Sequence, residues 1–404
     1  MCRRKLVVII QKSIPTYRVP FFSLLRQKLT ERGIELMLVC GDPVGEDKFK
    51  SDPGKVDWAH YRPHRRLRVG SRELIWQPVL DLAEGADLVI VEQASKLMVN
   101  YVLLALQFRP TSPAVALWGH GANLQRHTAS RIGEAVKVLV SRRARWWFAY
   151  TEGTRQLLVA RGIPNSRITV VQNSTDTVGL RRAMASIVDD ELRRYRASWK
   201  STPGRTAVFI GGLYAEKRLR FMVEACSIVA EQLPHFRLLI AGDGPDRAVI
   251  EELANTHGFV KFLGRVDGRE KDALLRIADC IVMPGLVGLA IVDSFAAEAP
   301  LITTNMPYHS PEIDYLEDGV NGILVHDAYN PEEFAKAVQD VLSDERLSAR
   351  LRNGCRIAAD RYTNEEMVRR YADGIELALK ASGTKPPGRW RPVPILSSKG
   401  HHDR

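Results

Sequence analysis

Residues 280–304 read Cys280-Ile-Val-Met-Pro-Gly-Leu-Val-Gly-Leu-Ala-Ile-Val-Asp-Ser-Phe-Ala-Ala-Glu-Ala-Pro-Leu-Ile-Thr-Thr304. The apolar run Cys280–Met283 is a short buried strand that stops at Pro284-Gly285. Gly285 and Gly288 then open a helical pattern over 288–298 with one acid, Asp293, in its first turns. A second apolar run, Leu301–Thr304, follows. Strand, glycine loop, helix, strand is a crossover unit, and such units build a parallel sheet covered on both faces.

The same alternation extends outward in both directions. Strands are expected at Leu6–Ile10, Glu35–Cys40, Leu88–Val91, Ala114–Trp118, Trp147–Tyr150 and Ile168–Val171. A second series falls at Ala207–Ile210, Arg237–Ala241, Val260–Leu263, Cys280–Met283, Leu301–Thr304 and Ile323–Val325. Helical patterns lie between them, among them Val19–Arg32, Ile132–Arg145, a charged helix Val178–Arg196, Arg218–Glu231 and Gly288–Glu298. The fold class is therefore α/β, with two doubly wound domains facing each other across a cleft. The expected divisions are 1–180, a linker helix and loop at 181–204, and a second domain at 205–360. A C-terminal helix at 361–382 returning to the first domain and an extended basic tail at 383–404 complete the chain.

Composition narrows the class. At 404 residues with 45% hydrophobic and 26% charged content, the chain is long enough for two ordinary cores. No run approaches the length of a membrane-spanning helix. The apolar part of Met1–Ile10 is too short for a signal peptide and reads as a first strand. Five scattered cysteines without CxxC spacing suggest a reducing, cytoplasmic setting and no zinc site. A net charge of +11 suits an anionic partner: phosphorylated ligand, anionic membrane or nucleic acid. Nucleic acid is disfavoured, because the basic residues sit in no recognised motif.

Three loops of the second series are rich in glycine: Gly211-Gly212 through Lys217-Arg218, Gly242-Asp-Gly244-Pro, and Pro284-Gly285-Leu286-Val287-Gly288-Leu289. Bare backbone at a helix start, with a lysine nearby, suits a diphosphate. No P-loop is present, neither Gly242–Arg247 nor Gly119–Leu124 completes a dinucleotide fingerprint, and no metal-ligand cluster is visible, so neither a bound metal nor another cofactor is expected. A carboxylate at Asp293 suits a ribose hydroxyl pair, or is a surface acid favoured near a helix start.

In order, these motifs resemble a family 4 retaining glycosyltransferase of the GT-B fold, over roughly residues 5 to 382. Phe209–Arg218 is similar to the family's G-R-L-x-x-x-K-G loop, Ala241–Pro245 to its G-x-G-P turn, and Phe262–Val266 to the loop that meets the base. Glu312–Gly322 resembles E-x-x-x-x-G-x-N-G, and Gln172–Asp176 the N-G-x-D that ends the first domain. The resemblance implies donor contacts from Gly211, Gly212, Lys217, Arg218, Gly242, Gly244, Arg265, Val266, Gly285, Leu286, Val287, Gly288, Leu289 and Asp293. The family's loop arginine falls at Gly212, where Arg218 is the expected substitute, and the first glutamate of its E-x7-E motif falls at Gly285.

On the acceptor side, His120 lies between two glycines in a loop after a strand, and the resemblance implies a catalytic role for it beside Lys217. Tyr17, Arg18, Arg62, Arg65 and Asn123 are further acceptor-side candidates. The five arginines of 60–72 read either as an anion-binding loop or as a solvated one. An amphipathic pattern over 126–147 suits an anionic lipid surface with its arginine face, placing the chain in the cytoplasm or against the inner membrane face. The expected activity is transfer of a hexose from an NDP-sugar to a glycan or lipid-linked saccharide. The rivals are an NDP-sugar epimerase or hydrolase and a degenerate basic binding protein.

Overall fold

The computed structural model describes residues 3–42, 54–69, 72–109, 111–121 and 141–382. The first half runs β1 (Lys5–Ile10), β2 (Ile34–Cys40), β3 (His60–Tyr61), β4 (Arg65–Val69), β5 (Arg72–Trp76), β6 (Leu88–Glu92), β7 (Ala114–Gly119), β8 (Trp146–Ala149) and β9 (Ile168–Val170). The second runs β10 (Thr206–Ile210), β11 (Arg237–Ala241), β12 (Val260–Gly264), β13 (Cys280–Val282), β14 (Leu301–Thr304) and β15 (Gly322–Val325). Parallel pairing joins them into one sheet of order β3-β2-β1-β6-β7-β8-β9 and another of order β12-β11-β10-β13-β14-β15.

Alternation along each strand decides which residues meet. Val7 and Ile9 enter one core with Leu36, Leu38 and Ile90, while Val8 and Ile10 enter the opposite core with Val39, Val89 and Val91. Both faces are thus apolar, which is why these strands read as unbroken hydrophobic runs. The helix Asn364–Ser382 packs on the first of these cores: Tyr371 stacks on Phe148 at 4.4 Å and meets Trp118 at 5.0 Å. Gly374 permits the approach, since a Cβ there would lie 2.7 Å from Thr169 Oγ1 and 2.8 Å from the Phe148 ring.

Several local expectations are corrected. The charged helix expected over 178–196 is two helices, Thr177–Ala185 and Asp189–Trp199. Asp176 caps the first by accepting from Gly179 N–H, and Ile187 between them is buried, with its carbonyl taken by Arg276. The arginine-rich segment read as a loop forms β3 and an antiparallel hairpin, β4–β5. The helix after Gly288 is confined to Ala290–Ala296. Most of the amphipathic pattern 126–147, and the tail 383–404, lie outside the described residues. No described helix is long and apolar enough to cross a membrane.

Strand order reverses between β1 and β6 in one sheet and between β10 and β13 in the other. Ligands of such sheets bind beyond the strand ends at these reversals. The glycine loops after β10 and β13 sit at one of these reversals.

Candidate functional site: the loops after β10 and β13

The three glycine loops of the second sheet hold one another. A Cβ on Gly242 would stand 1.9 Å from the Gly211 carbonyl oxygen, and one on Gly244 2.4 Å from that of Leu213. Leu213 N–H donates to Asp243 O at 2.9 Å. These two glycines let one loop cross another, a purpose other than the ligand approach expected of them. Gly211 and Gly212 sit half-buried in the crossing loop, with the Tyr214 ring against Gly212.

Lys217 ends the short 3-10 turn Ala215–Lys217 and is 6% exposed. Its Nζ donates to Leu286 O at 2.5 Å, lies 3.4 Å from Met283 Sδ and 5.5 Å from the Tyr214 ring centroid. No carboxylate pairs with it among the described residues. Burial holds its pKa down to about 8, against a smaller opposing pull from Glu216. A buried ammonium bonded only to neutral groups is poised for an incoming anion.

The loop 284–289 is fixed from two sides. Leu286 N–H donates to Glu216 O at 2.8 Å, and Gly285 is wedged against the same backbone. On the other side, Val287 N–H donates to His309 Nδ1 at 3.0 Å, Ser310 N–H donates to Val287 O at 2.9 Å, and His309 Nε2 meets Thr304 O at 2.7 Å. The accepting Nδ1 assigns the His309 proton to Nε2, and burial keeps the ring's pKa below its usual value. The amides of Gly288 and Leu289 have no acceptor among the described residues. Gly288 has ordinary room, its nearest neighbour to a Cβ being Ser310 Oγ at 3.5 Å.

Asp293 is not a solitary acid. Its Oδ2 takes Lys271 Nζ at 2.8 Å and its Oδ1 accepts from Thr175 Oγ1 at 3.1 Å. The carboxylate raises the lysine's pKa. Arg218, the expected substitute for the missing loop arginine, has φ +56° and donates to Ala328 O at 2.6 Å, with the same nitrogen 3.4 Å from Pro284 O and its guanidinium over the Phe221 ring at 4.0 Å. Beyond β12, Arg265 is exposed and Val266 half-buried.

In the first sheet, the loop after β7 is clamped. Gln93 Oε1 accepts from Gly121 N–H at 2.7 Å, and Arg161 donates to Gly121 O at 2.7 Å. This leaves the His120 ring half-buried, 4.6 Å from the Tyr150 ring. Arg18, expected on the acceptor side, is buried at 5% exposure. It donates to Ser174 O at 3.1 Å and to Asn173 Oδ1, while Asn173 Nδ2 donates to Glu312, itself buried. Tyr17 is exposed with the Arg18 guanidinium over its ring, Arg62 pairs with Asp81 at 2.7 Å, and Arg65 is exposed on β4. Asn123 lies outside the described residues.

Sequence reading missed His309 and Lys271, and it placed Asn173 and Glu312 in the Gln172–Asp176 and Glu312–Gly322 motifs without a role for either. For His309 the available signal was position, after the C-terminal end of β14. For Lys271 there was none beyond its charge. Among the described residues no group of three or more His, Cys, Asp or Glu is placed to hold a metal.

Residues 193–358 match the family described as Glycosyl transferases group 1. A relative, the alpha-monoglucosyldiacylglycerol synthase of Acholeplasma laidlawii, is 27% identical over 165 residues, 39% of this chain and 40% of that protein. The chain thus spans about two fifths of the curated relatives it matches. Over nearly its whole length it is similar in fold to HepE of Anabaena solved with UDP, at a TM-score of 0.69, 16% identity, and coverage of 92% and 99%. It is also similar to a putative UDP-N-acetylglucosamine 2-epimerase of Listeria monocytogenes, at 0.59, 15%, and 96% and 100%. The architecture is GT-B, two Rossmann-like halves, and the group 1 match falls on the second.

Proposed function

We propose that the chain is a retaining, family 4-type glycosyltransferase that moves a hexose from an NDP-sugar to a hydroxyl of a glycan or lipid-linked saccharide, without a metal ion. The observation that carries this reading is Lys217: a buried ammonium with only neutral partners, at the foot of the loop that presents the unpaired Gly288 and Leu289 amides. In transfer, the bond from the anomeric carbon to the diphosphate breaks and its electron pair stays on phosphate. Lys217 and the two amides meet that charge in a site already organised for it, an electrostatic contribution worth several kcal/mol in comparable sites, on the order of 3. Asp293 takes the ribose hydroxyls, with Lys271 setting its orientation. Arg265 and Val266 lie on the loop assigned to the base, and His120 stands on the acceptor side of the cleft.

The acceptor reading draws on the relative whose name is a diacylglycerol glycolipid synthase, and on the basic surface. It places the protein in the cytoplasm, peripheral to the inner membrane face. Incubation with a panel of NDP-hexoses tests the whole. Release of one nucleoside diphosphate on adding acceptor, undiminished by EDTA, with the anomeric configuration of the donor kept in the product by NMR, is expected. Because the fold is also that of a putative epimerase, the same NMR decides the rival: an epimerised NDP-sugar or free hexose without acceptor overturns transfer.

A further inference from the structure

The 3-10 turn Pro311–Tyr315 joins loop 284–289 to the first half. It follows His309 and Ser310, the two residues that hold that loop through Val287. Three of its side chains then reach across. Glu312 accepts from Asn173 Nδ2, and Tyr315 Oη donates to Asn173 O at 3.1 Å with Tyr150 O at 3.4 Å. Asp314 Oδ2 accepts from Gly153 N–H at 2.8 Å. Glu312 and Tyr315 are buried and belong to the packing between the halves, whereas Asp314 is exposed.

Gly153 is the second residue of the helix Glu152–Ala160, whose opening N–H groups have no partner within the helix. Thr151 caps it locally by accepting from Thr154 N–H at 3.3 Å. Asp314 supplies a second acceptor from the other half of the molecule, where negative charge suits the helix dipole. A Cβ at 153 would stand 2.4 Å from Asp314 Oδ2, so glycine leaves the room for this contact. The same helix seats the His120 loop. Arg161 at its end donates to Gly121 O at 2.7 Å, and a Cβ on Gly121 would meet Leu158 at 3.3 Å and Thr154 at 3.4 Å. One run of contacts thus leads from Val287 through His309, Asp314 and the helix to His120, whose ring lies 4.6 Å from that of Tyr150.

We propose that Asp314 is a positioning residue: by holding the start of the helix Glu152–Ala160, it sets where the first half presents His120 to a donor on loop 284–289. The consequence for turnover rests on the transfer reading above; the placement of His120 does not. The test uses the full chain labelled with carbon-13 at the histidine Cε1 positions, the His120 signal being the one missing in His120→Gln. Asp314→Ala removes the contact, and Gly153→Ala expels the carboxylate while favouring the helix itself. Each is expected to displace the His120 signal and to lower kcat about ten-fold at unchanged KM for the NDP-hexose of the panel above that is turned over. The double variant is expected to match Asp314→Ala alone, because both changes break one contact. Asp314→Asn, which keeps an acceptor oxygen, is expected to restore both readouts. An unmoved His120 signal in both single variants overturns the proposal. So does a moved signal with kcat unchanged, a raised donor KM in place of a lowered kcat, or additive effects in the double variant. A wild type that turns over no NDP-hexose counts against transfer, and the displacement of the His120 signal in the single and double variants then decides the placement by itself.

Discussion

A Cβ on Gly285 would come within 2.1 Å of the Glu216 carbonyl oxygen, and 2.6 Å of the carbonyl carbon of Lys217. Position 285 is the one at which the resembled motif carries its first glutamate. The turn that delivers Lys217 passes directly over it, so the missing carboxylate and the buried lysine are two sides of one packing arrangement. Gly288, three residues on, is under no such pressure. Gly285→Ala is expected to lower stability by about 1–3 kcal/mol through overpacking. Gly288→Ala is expected to melt like the wild type yet to bind nucleoside diphosphate more weakly. Thermal melts with and without UDP separate the two.

Lys217 makes binding depend on pH in a defined direction. Its pKa near 8 in the free protein rises when a diphosphate arrives, because the anion favours the charged form. Affinity is therefore full below pH 8 and falls as pH climbs through that value. Binding near pH 8 takes up a proton, which calorimetry in two buffers of different ionisation enthalpy will register. The stability sign is the same argument reversed. The unfolded lysine titrates near 10.5, so folding with a charged lysine costs on the order of 3 kcal/mol below pH 8, and stability rises from pH 8 to 10.5. Lys217→Met is expected to leave the ligand-free melting temperature equal or higher and to abolish the pH-dependent part of binding.

His309 predicts an acid limit. It is neutral in the fold, accepting from Val287 N–H through Nδ1, whereas the unfolded ring takes a proton below about pH 6.5. Its folded pKa is depressed by burial, so stability is lost as pH falls below 6.5. Protonation would also set two donors against each other at Val287. The stability gap between wild type and His309→Ala is expected to narrow steadily from pH 7 to 5, measured by urea melts. A constant gap would show that the ring does not titrate differently in the two states.

Arg18, Asn173 and Glu312 form a buried relay between the start of the first half and the 3-10 turn Pro311–Tyr315 of the second. Deleting Asn173 leaves a buried guanidinium and a buried carboxylate short of a partner each. Asn173→Ala is expected to cost about 2 kcal/mol or more, read from the urea midpoint.

Much of the fold was legible because buried parallel strands announce themselves. Val7–Ile10, Leu88–Val91 and Ala207–Phe209 are apolar on both faces, and two of the three glycine loops, after β10 and β13, fall where strand order reverses. The β4–β5 hairpin escaped because arginines are mixed with apolar residues on both of its faces, Arg65 with Leu67, Leu74 and Trp76 on one and Arg66 and Arg68 with Ile75 on the other, which hides the period-two pattern. The break at Ile187 escaped because charges on either side continue a helical pattern, and only tertiary burial of one isoleucine interrupts it. At the site, residue types near each loop were readable, but their partners were not. Arg18 and Arg218 read as free cations, and packing turned one toward Asn173 and the other toward Ala328. Lys271 and Asp293 lie twenty-two positions apart, and only the fold puts them 2.8 Å from each other.

The most direct measurement is thermal stability with UDP, GDP, dTDP and ADP, for the wild type and Lys217→Ala. Ligand at a hundred times its dissociation constant stabilises a fold by about 2.7 kcal/mol. A rise with one of the four, absent in Lys217→Ala, is the predicted result and names the donor base. No rise with any of them, or a rise that survives loss of the lysine, contradicts a diphosphate site at Lys217.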